Sequence, residues 1–202
     1  MTLPGMTLWT AAPTLRGKHV TLEALTPAHA AGLRDAVEDG RLYELWYTSV
    51  PEARDVETYI DGALAKQAKG EQLCFAVRDA QDRVVGTTRY YELTPDVPRL
   101  QIGYTWYAAS VQRTGLNTEA KLLLLSHAFE TMRCVSVGLQ TSYFNLASRA
   151  AIARLGAKEE GITRNHTRHR DGTVRDTVNF SIIDGEWPAV KRNLKARLGR
   201  NA

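Results

Sequence analysis

The chain is poor in cysteine and has no long apolar run. Cys74 and Cys134 are the only cysteines among 202 residues, which argues against a disulfide-stabilised secreted domain. No stretch approaches the ~18 consecutive apolar residues that a membrane-spanning helix needs. Residues 1–13 lack the basic start and the continuous apolar core of a secretory signal peptide. We therefore expect a cytoplasmic protein with no membrane partner.

Internal repeats, low-complexity stretches and linkers are also absent, which favours a single folded unit. A chain of this length can bury roughly 70% of its unfolded surface. Its hydrophobic content of 44% and its charged content of 24% are typical of a globular domain rather than a disordered chain.

The net charge of +4 at pH 7 is concentrated at one end of the chain. Five basic residues and no acidic residue follow Trp187: Lys191, Arg192, Lys195, Arg197 and Arg200. Subtracting these five charges from +4 leaves −1 for the rest of the chain, which argues against a nucleic-acid-binding domain. A solvated helix face explains the basic tail most simply. Contact with an acidic partner, such as RNA or the ribosome, is the alternative.

Hydrophobic periodicity divides the chain into strands and helices. Strands are predicted over residues 19–25, 73–78, 84–93, 100–107, 135–141, 159–169 and 174–183. Helices are predicted over residues 27–39, 56–69, 118–132, 145–155 and 188–198, with a short helical segment at 42–47. Asp171 and Gly172 form a two-residue hairpin signal between the last two strands.

A loop between the strand at 100–107 and a leucine-rich helix carries the most specific motif. It holds Gln112, Gly115 and Asn117. The glycine lets the backbone approach a ligand closely, and the free N–H groups of the next helical turn favour an anion. Asn117 or Thr118 is the predicted N-cap of that helix. A phosphate loop of the Walker type is excluded because no Gly-Lys-Ser/Thr is present, and a single glycine excludes a dinucleotide fingerprint.

This loop resembles the pyrophosphate loop of the GCN5-related N-acetyltransferases (GNAT), which usually reads Gln/Arg-x-x-Gly-x-Gly/Ala. Gln112 and Gly115 match the pattern and Asn117 departs from it. A second block, from Asn145 and Ser148 to Leu155-Gly156, is similar to the Asn-x-x-Ser … Leu-Gly block of the family. Taken alone, that block also fits a helix cap followed by a first-turn serine.

Residues 101–104, Gln-Ile-Gly-Tyr, resemble the branch that acetylates ribosomal-protein N-termini, a branch that also includes enzymes acting on small amines. The order of predicted elements matches the family too. The resemblance implies an α/β (α+β) fold, with a mostly antiparallel mixed sheet of about seven strands flanked by helices. It places the acetyltransferase domain at residues 14–184, between an N-terminal extension (1–13) and a basic amphipathic C-terminal helix (185–202). A bulge near Gly103 should open a slot for pantetheine.

The implied activity is direct transfer of acetyl from acetyl-CoA to a primary amine of a small molecule or a protein N-terminus, without a metal. Coenzyme A would contact the strand end, the loop and the second block. The residues at these positions are Trp106, Tyr107, Gln112, Arg113, Thr114, Gly115, Leu116, Asn117, Thr118, Asn145 and Ser148. A backbone N–H near Trp106 or Tyr107 would stabilise the oxyanion.

The resemblance leaves the proton chemistry open. Many relatives protonate the leaving thiolate with a tyrosine at the position of Ile152, so Ser148 becomes the first candidate acid and Tyr143 the second. The family carboxylate at the start of the strand is replaced by Gln101. Glu92 and Glu119 are the remaining candidate bases. Each also has a structural interpretation, as a solvated strand-end charge and as a first-turn helix charge, and a water relay is a further possibility.

Four residues are expected to line the acceptor site: Trp46, Tyr47, Arg89 and Tyr104. Arg89 could anchor an acidic acceptor, although an exposed strand arginine is the commoner outcome. His166 and His169 lie on opposite faces of a predicted strand, which argues against a shared metal.

Two other functions compete with acetyl transfer. A coenzyme-binding regulatory module would explain the missing tyrosine and the missing strand carboxylate. An RNA- or ribosome-associated protein would explain the basic tail. A homodimer is common among relatives and stays open, as does the identity of the amine.

Overall fold

One eight-stranded sheet forms the centre of the fold. The computed structural model describes residues 6–200, and it describes side chains from residue 8 to residue 199. Residues 1–5 of the predicted N-terminal extension and residues 201–202 of the predicted C-terminal helix lie outside this part. The strands are β1 (Leu15–Arg16), β2 (Val20–Ala24), β3 (Gln72–Asp79), β4 (Val84–Thr94), β5 (Arg99–Tyr107), β6 (Ser136–Ser142), β7 (Lys158–Arg168) and β8 (Val174–Ile183).

Five α-helices connect or follow these strands. They are α1 (Ala30–Glu38), α2 (Val56–Ala68), α3 (Gly115–Ser126), α4 (Leu146–Leu155) and α5 (Trp187–Arg200). A π-helical turn, His127–Thr131, extends α3, and the predicted segment at 42–47 is a 3₁₀ turn at Leu42–Glu44. The predicted mixed fold and its element order are confirmed, and the two-residue β1 is the eighth strand. No helix within residues 6–200 is long and apolar enough to cross a membrane.

The sheet order is β1-β2-β3-β4-β5-β6-β8-β7, and only β5 and β6 run parallel. This parallel step is the crossover that carries α3, and such crossovers are right-handed. α1 packs on β4 and α2 on β3, while α5 contacts both α3 and α4. The helices therefore lie in two groups, and the apolar core fills the space between each group and the sheet.

A bulge distorts β5 at the position that opens the sheet. Two residues of β5 stand opposite Thr88, because Thr87 pairs with Trp106 and Arg89 pairs with Gly103. Tyr104, next to Gly103, takes up the distortion with a left-handed φ of 52°. Gly103 itself makes room for an aromatic ring, since a Cβ there would lie 2.6 Å from Cε1 of Tyr91.

Candidate active site between strands β5 and β6

Strands β5 and β6 separate toward their carboxyl ends. Their parallel pairing runs from Arg99–Ser136 to Gln101–Gly138 and then stops. Beyond it, β5 pairs only with β4, and β6 pairs only with β8. Residues 102–107 and 139–142 therefore border a gap, with unpaired backbone N–H and C=O groups directed into it. An extended ligand with amide groups can hydrogen-bond to both edges of such a gap.

The loop after β5 ends at the N-terminus of α3, at the open end of this gap. Thr114 is the N-cap, because its hydroxyl accepts a hydrogen bond from the Leu116 N–H over 3.2 Å. The prediction of Asn117 or Thr118 as the cap is wrong. The left-handed backbone of Arg113 (φ 61°) turns the chain into the helix earlier.

This start of α3 leaves backbone donors available. First-turn N–H groups have no helical acceptor, and the Thr114 hydroxyl satisfies only that of Leu116. The N–H groups of Gly115 and Asn117 can therefore bind an anion. Among the other predicted loop residues, Arg113 is exposed, Thr118 is half-buried, and the Leu116 side chain is buried in the core.

Side-chain hydrogen bonds hold the loop in shape. The amide Nε2 of Gln112 donates to the carbonyl of Tyr107 over 2.9 Å, which pins the loop to the strand end. The hydroxyl of Thr114 donates to the carbonyl of Val111 over 2.7 Å. Gln112 and Thr114 therefore shape the loop with their side chains.

The end of α1 supports the same loop from outside. The N–H of Ala109 donates to the carbonyl of Asp39 over 2.8 Å, and the N–H of Ser110 donates to Oδ2 of Asp39 over 3.1 Å. Gly40 follows with φ 96°, and a Cβ on it would lie 2.5 Å from that of Ala109. Both the backbone angle and the available space thus require glycine at this position.

His19, which follows β1, packs against the N-terminus of α3. A Cβ on Gly115 would lie 3.3 Å from Cδ2 and 3.4 Å from Nε2 of the imidazole. The imidazole Nε2 of His19 therefore lies beside the candidate anion site. Sequence reasoning missed His19, because the turn that carries it is about 100 residues from the loop.

Glu119 connects the same turn to α3. Its carboxylate accepts backbone N–H groups of Lys18 (2.9 Å), His19 (2.5 Å) and Val20 (3.1 Å). Glu119 is buried and lies beyond the first turn of α3, which contains no acidic residue. The interpretation as a first-turn helix charge is therefore wrong. Its carboxylate oxygens instead accept the backbone hydrogen bonds that fix the connection between β1 and β2.

The second predicted motif lies where β6 passes into α4. Asn145 is the N-cap, and its Oδ1 accepts the N–H of Ser148 over 3.0 Å. The half-buried Ser148 hydroxyl has no side-chain partner among residues 8–199, so it is free to donate. Tyr143 is exposed, and its ring lies 4.9 Å from the guanidinium carbon of Arg149.

Gln101 lies at the closed end of the gap, where β5 and β6 part. Gly138 provides its space, since a Cβ there would lie 2.4 Å from Oε1 of Gln101. This Oε1 is buried and has no hydrogen-bond donor within the described chain. A buried acceptor without a donor is costly unless a ligand or a water supplies one.

The open face is the side of the sheet that carries Arg89, Tyr91, Gln101 and Arg175. Cross-strand pairs place Arg89 opposite Gly103 and Tyr91 opposite Gln101. The pairs Gln101–Gly138, Gly138–Ser181 and Ser142–Thr177 continue this face across β6 to β8. Arg175 is two residues from Thr177 and shares its face, because side chains alternate along a strand.

Arg89 is the predicted acceptor residue with the most unusual surroundings. The expectation of an exposed strand arginine is wrong, because Arg89 is 4% exposed. Its guanidinium carbon lies 4.6 Å from the ring centroid of Tyr59 and 4.5 Å from that of Tyr104. Nη1 donates to Oε1 of Gln72 over 3.0 Å.

Trp46 and Tyr47 lie beside the hairpin between β7 and β8. The Trp46 ring is 4.7 Å from His169 and 5.3 Å from Phe144, and it remains 44% exposed. The Tyr47 ring contacts Trp46 edge-on at 5.6 Å. The predicted aromatic pair, with Trp46 exposed and Tyr47 half-buried, thus lies at the edge of the open face.

Trp106 and Tyr107 are buried at the end of β5. Nε1 of Trp106 donates to the hydroxyl of Tyr59 over 3.3 Å. Burial raises the pKa of Tyr107, whose hydroxyl has no partner among the described residues. Only the backbone of these two residues faces the gap.

Glu92 lies beyond the closed end of the gap. The last continuous pair before it joins Tyr91 to Gln101, and the gap opens on the other side of that pair. Glu92 is exposed, with a left-handed φ of 50°. A base at this position would need a water to reach a substrate in the gap.

Lys121 is a buried amine that sequence analysis did not single out. Its Nζ donates to Oγ1 of Thr105 over 2.9 Å, and Thr105 also shares a hydrogen bond with Thr88 at 2.8 Å. Burial lowers the pKa of Lys121 to about 7. The sequence pattern around Lys121, which precedes four leucines, did not predict that its amine would face the sheet.

His169 is buried at the rim of the open face. Burial and the nearby Arg175 lower its pKa, and its Nε2 has no partner within residues 8–199. The same part of the chain contains no cluster of three or more His, Cys, Asp or Glu side chains that could hold a metal.

The sequence pattern of the acetyltransferase (GNAT) domain matches residues 19–158. YdaF of Bacillus subtilis (strain 168), named provisionally as a ribosomal N-acetyltransferase, is 32% identical over 93 residues. That alignment covers 46% of this chain and 50% of YdaF, so the chain spans half the length of this relative.

Solved structures share the fold. A GCN5-related N-acetyltransferase from Brucella melitensis superposes with a TM-score of 0.82 at 29% identity, covering 92% of this chain and 85% of that one. Mycobacterium smegmatis RimJ, in complex with CoA-disulfide, gives 0.74 at 24% identity, covering 92% and 93%. At that identity the second match shows a common fold only.

Proposed function

The chain belongs to the acetyltransferase (GNAT) domain family, and we propose that it transfers the acetyl group of acetyl-CoA directly to a primary amine. The single observation that carries this proposal is the gap between β5 and β6, which ends at the capped N-terminus of α3. A gap with free backbone edges suits the amide-containing pantetheine arm. The helix N-terminus suits the pyrophosphate.

The coenzyme contacts follow from this placement. The N–H groups of Gly115 and Asn117 bind the pyrophosphate, with Arg113 and Thr118 beside it and His19 as an additional neighbour. Gln112 and Thr114 hold the loop in position through their side chains. The backbone of Trp106 and Tyr107 borders the gap on one side, and Asn145 with Ser148 lies at the end of the other.

The reaction joins the acceptor nitrogen to the acetyl carbon. A neutral amine attacks the thioester carbonyl, the C–N bond forms, the C–S bond breaks, and coenzyme A leaves as a thiolate. A backbone N–H of Trp106 or Tyr107 stabilises the oxyanion. The Ser148 hydroxyl lies near the gap without a competing partner, so it protonates the thiolate and regains a proton from solvent water.

The amine loses its proton through water. Both oxygens of the Glu119 carboxylate accept backbone hydrogen bonds from residues 18–20, so Glu119 does not act as the base. Glu92 lies outside the gap. Oε1 of Gln101 lacks a donor and accepts a hydrogen bond from the amine or from the relay water. Glu92 receives the proton at the outer end of this relay.

The acceptor enters from the open face, opposite the helix α3. Trp46 and Tyr47 form its rim, Tyr104 is partly exposed at the β5 bulge, and the buried Arg89 packs on the Tyr104 ring. Small molecules and protein N-termini both fit this arrangement. Because Cys74 and Cys134 are free thiols, we place the reaction in the reducing cytoplasm.

A coenzyme-binding regulatory module is the second candidate. Ile152 is buried where many relatives are expected to have tyrosine, and Gln101 replaces a carboxylate. Tight binding of acetyl-CoA without acetylation of amino acids, polyamines, aminoglycosides or peptide N-termini would favour this candidate.

Calorimetric titration with acetyl-CoA tests the proposal. We expect binding of the wild-type protein at roughly micromolar to millimolar concentration. Gly115→Val should weaken binding at least about tenfold, because a first-turn side chain leans toward the helix N-terminus and covers its N–H groups.

Gly62→Val is the matched control, since a Cβ at Gly62 meets nothing within 4 Å. His19→Ala in the Gly115→Val background separates a clash with the imidazole from a clash with the coenzyme. Absence of binding at millimolar acetyl-CoA would refute the proposal. Wild-type affinity in Gly115→Val would refute the loop assignment.

A further inference from the structure

Two arginines of the open face have no carboxylate partner within the part of the chain whose side chains are described. Arg89 has its Nε buried without an acceptor, and its one hydrogen bond goes to the neutral Gln72. Two other strand arginines do pair with carboxylates: Arg78 with Glu23, and Arg164 with Asp176. Arg89 therefore carries a buried positive charge that this fold does not neutralise.

Arg175 of β8 repeats this arrangement. Its Nε is also buried without an acceptor, and none of its nitrogens donates a hydrogen bond within residues 8–199. Burial lowers the pKa of its guanidinium, against the opposing influence of Tyr91 and Tyr104. Arginine stays protonated in proteins, so this charge also persists.

Tyr104 links the two guanidinium groups. Arg89 lies over its ring, the rings of Tyr104 and Tyr91 meet edge-on at 5.2 Å, and both tyrosines are near enough to Arg175 to influence it electrostatically. Tyr104 is the bulge residue of β5 next to the gap. Both cations therefore lie on the face where the acceptor meets the acetyl group.

Aromatic rings do not replace an anion for such groups. A ring attracts a guanidinium through its face, but it accepts none of the N–H donors of the guanidinium edge. A carboxylate accepts two parallel N–H groups from one arginine, which is the strongest pairing that this group makes. The fold thus holds Arg89 buried and Arg175 half-buried, each with a buried Nε that has no acceptor, and an external carboxylate could pair with both.

We propose that the acceptor is a primary amine that also carries a carboxylate, which binds Arg89 and Arg175. This inference rests on the proposed acetyl transfer and names its substrate class. The carboxylate belongs either to a free amino acid or to an acidic residue near a peptide N-terminus, since the recognition chemistry is the same.

Matched acceptors test the proposal. In the first arm, acetyl transfer by the wild-type protein is assayed with amino acids and with their carboxamides. In the second arm, it is assayed with peptides that begin Ser-Asp and with peptides that begin Ser-Asn. The rate of coenzyme A thiol release gives kcat/KM for each acceptor. We expect at least about tenfold higher kcat/KM for the acidic member of a pair, as a lost charged partner commonly costs this much or more. The arm with the larger ratio identifies the source of the carboxylate.

Variants connect this preference to the two cations. Arg175→Met should reduce the acid-to-amide ratio of kcat/KM toward one, and Arg175→Lys, which keeps the charge but loses the paired donors, should give an intermediate ratio. Arg192→Met on the exposed side of α5 makes the same charge change away from the open face and should keep the wild-type ratio. Acetyl-CoA affinity and the thermal midpoint show that each variant is folded.

A binding measurement supplements the kinetics. The N-acetylated acid should raise the thermal midpoint of the wild-type protein more than its amide does, and Arg175→Met should abolish this difference. Equal kcat/KM for acids and amides, or an unchanged ratio in Arg175→Met, would overturn the carboxylate proposal while acetyl transfer stands. A protein that binds no acetyl-CoA and acetylates neither set would overturn both.

Discussion

Ser148 and Lys121 show how burial and partners decide what one polar side chain can do. The Ser148 hydroxyl is half-buried and has no partner in the described chain, so it can donate to a ligand without losing a bond. The Lys121 side chain is 5% exposed, and its amine has Thr105 as its hydrogen-bond partner. The first arrangement suits proton donation, and the second makes the protein sensitive to pH.

Replacing Ser148 by alanine should reduce turnover more than coenzyme affinity. A positioned acid contributes about 100-fold or more to rate, while one hydroxyl adds little to binding of a large coenzyme. The measurement compares kcat with the calorimetric affinity for acetyl-CoA. Ser126→Ala, in a half-buried helical site without a side-chain hydrogen bond, is the control. Unchanged kcat across pH would remove Ser148 from the mechanism.

Lys121→Met should stabilise the protein, and the gain should grow as the pH falls. Burial lowers the pKa of Lys121 from 10.5 to about 7 in the folded chain. Between these values the unfolded chain binds the proton and the folded chain does not, so wild-type stability falls as pH decreases from 10.5 to 7 and levels off below 7. This shift corresponds to a full difference of roughly 5 kcal/mol, which the lost hydrogen bond to Thr105 reduces.

Chemical unfolding at several pH values measures this effect. The free energies of unfolding of wild type and Lys121→Met should converge toward alkaline pH and diverge toward neutral pH. Lys69→Met, at an exposed position, should follow the wild-type curve. Parallel curves for wild type and Lys121→Met would show that the buried amine keeps an ordinary pKa.

At the scale of elements, the turn between β1 and β2 and the helix α3 act as one unit. The Glu119 carboxylate accepts hydrogen bonds from three backbone N–H groups at residues 18–20, and the His19 side chain packs on Gly115. Gly17 is part of the fit, since a Cβ there would lie 2.4 Å from Oε2 of Glu119. The position of the candidate anion site therefore depends on a segment about 100 residues away.

Glu119→Gln should destabilise the fold without changing the shape of the pH–rate profile. The glutamine NH₂ would face backbone donors, and hydrogen bonds to a charged group contribute about 1.5–3 kcal/mol each, so we expect a loss of about 2 kcal/mol. Denaturant unfolding measures the loss, with Glu160→Gln on exposed β7 as the control. Disappearance of an acidic limb of kcat/KM in a fully folded variant would instead make Glu119 the base.

Periodicity predicted the elements well because their signals are local. Val174–Ile183 matches its predicted strand at both ends, and Asp171-Gly172 does form the preceding turn. The cap of α3 was misplaced because a left-handed backbone at Arg113, a non-glycine residue, leaves no signal in composition. Turn geometry of this kind depends on the Gln112 and Asp39 contacts around it.

Site residues were harder to predict where register brings them together. Arg89 was named as an acceptor residue but expected at the surface, and its aromatic neighbours come from α2 and from the β5 bulge. Arg175 joins the same face only through the pairings of β5, β6 and β8. No local pattern contains that information, so these contacts could not have been read from the sequence.

At the scale of the whole molecule, the basic C-terminal helix is part of the core. Trp187 of α5 stacks on Phe129 at 5.2 Å, and its Nε1 donates to Glu130 over 2.7 Å. Leu194 is 0% exposed, while Arg192 and Lys195 face solvent. Removing residues 187–202 would therefore damage the fold, and such a deletion cannot isolate the role of the basic charge.

Separate substitutions in α5 distinguish its packing from its charge. Leu194→Ala should lower the free energy of unfolding by about 3 kcal/mol and the thermal midpoint by roughly 10 °C, because it leaves a cavity between α3, α4 and α5.

Arg192→Gln together with Lys195→Gln should leave the midpoint nearly unchanged, since exposed charges contribute little to stability. Differential scanning calorimetry measures both, and binding to RNA or ribosomes is measured on the folded double variant. Loss of RNA or ribosome binding in the double variant, with acetyl transfer at the wild-type rate, would assign the basic surface to an acidic partner. Unchanged binding would leave α5 with a packing role against α3 and α4.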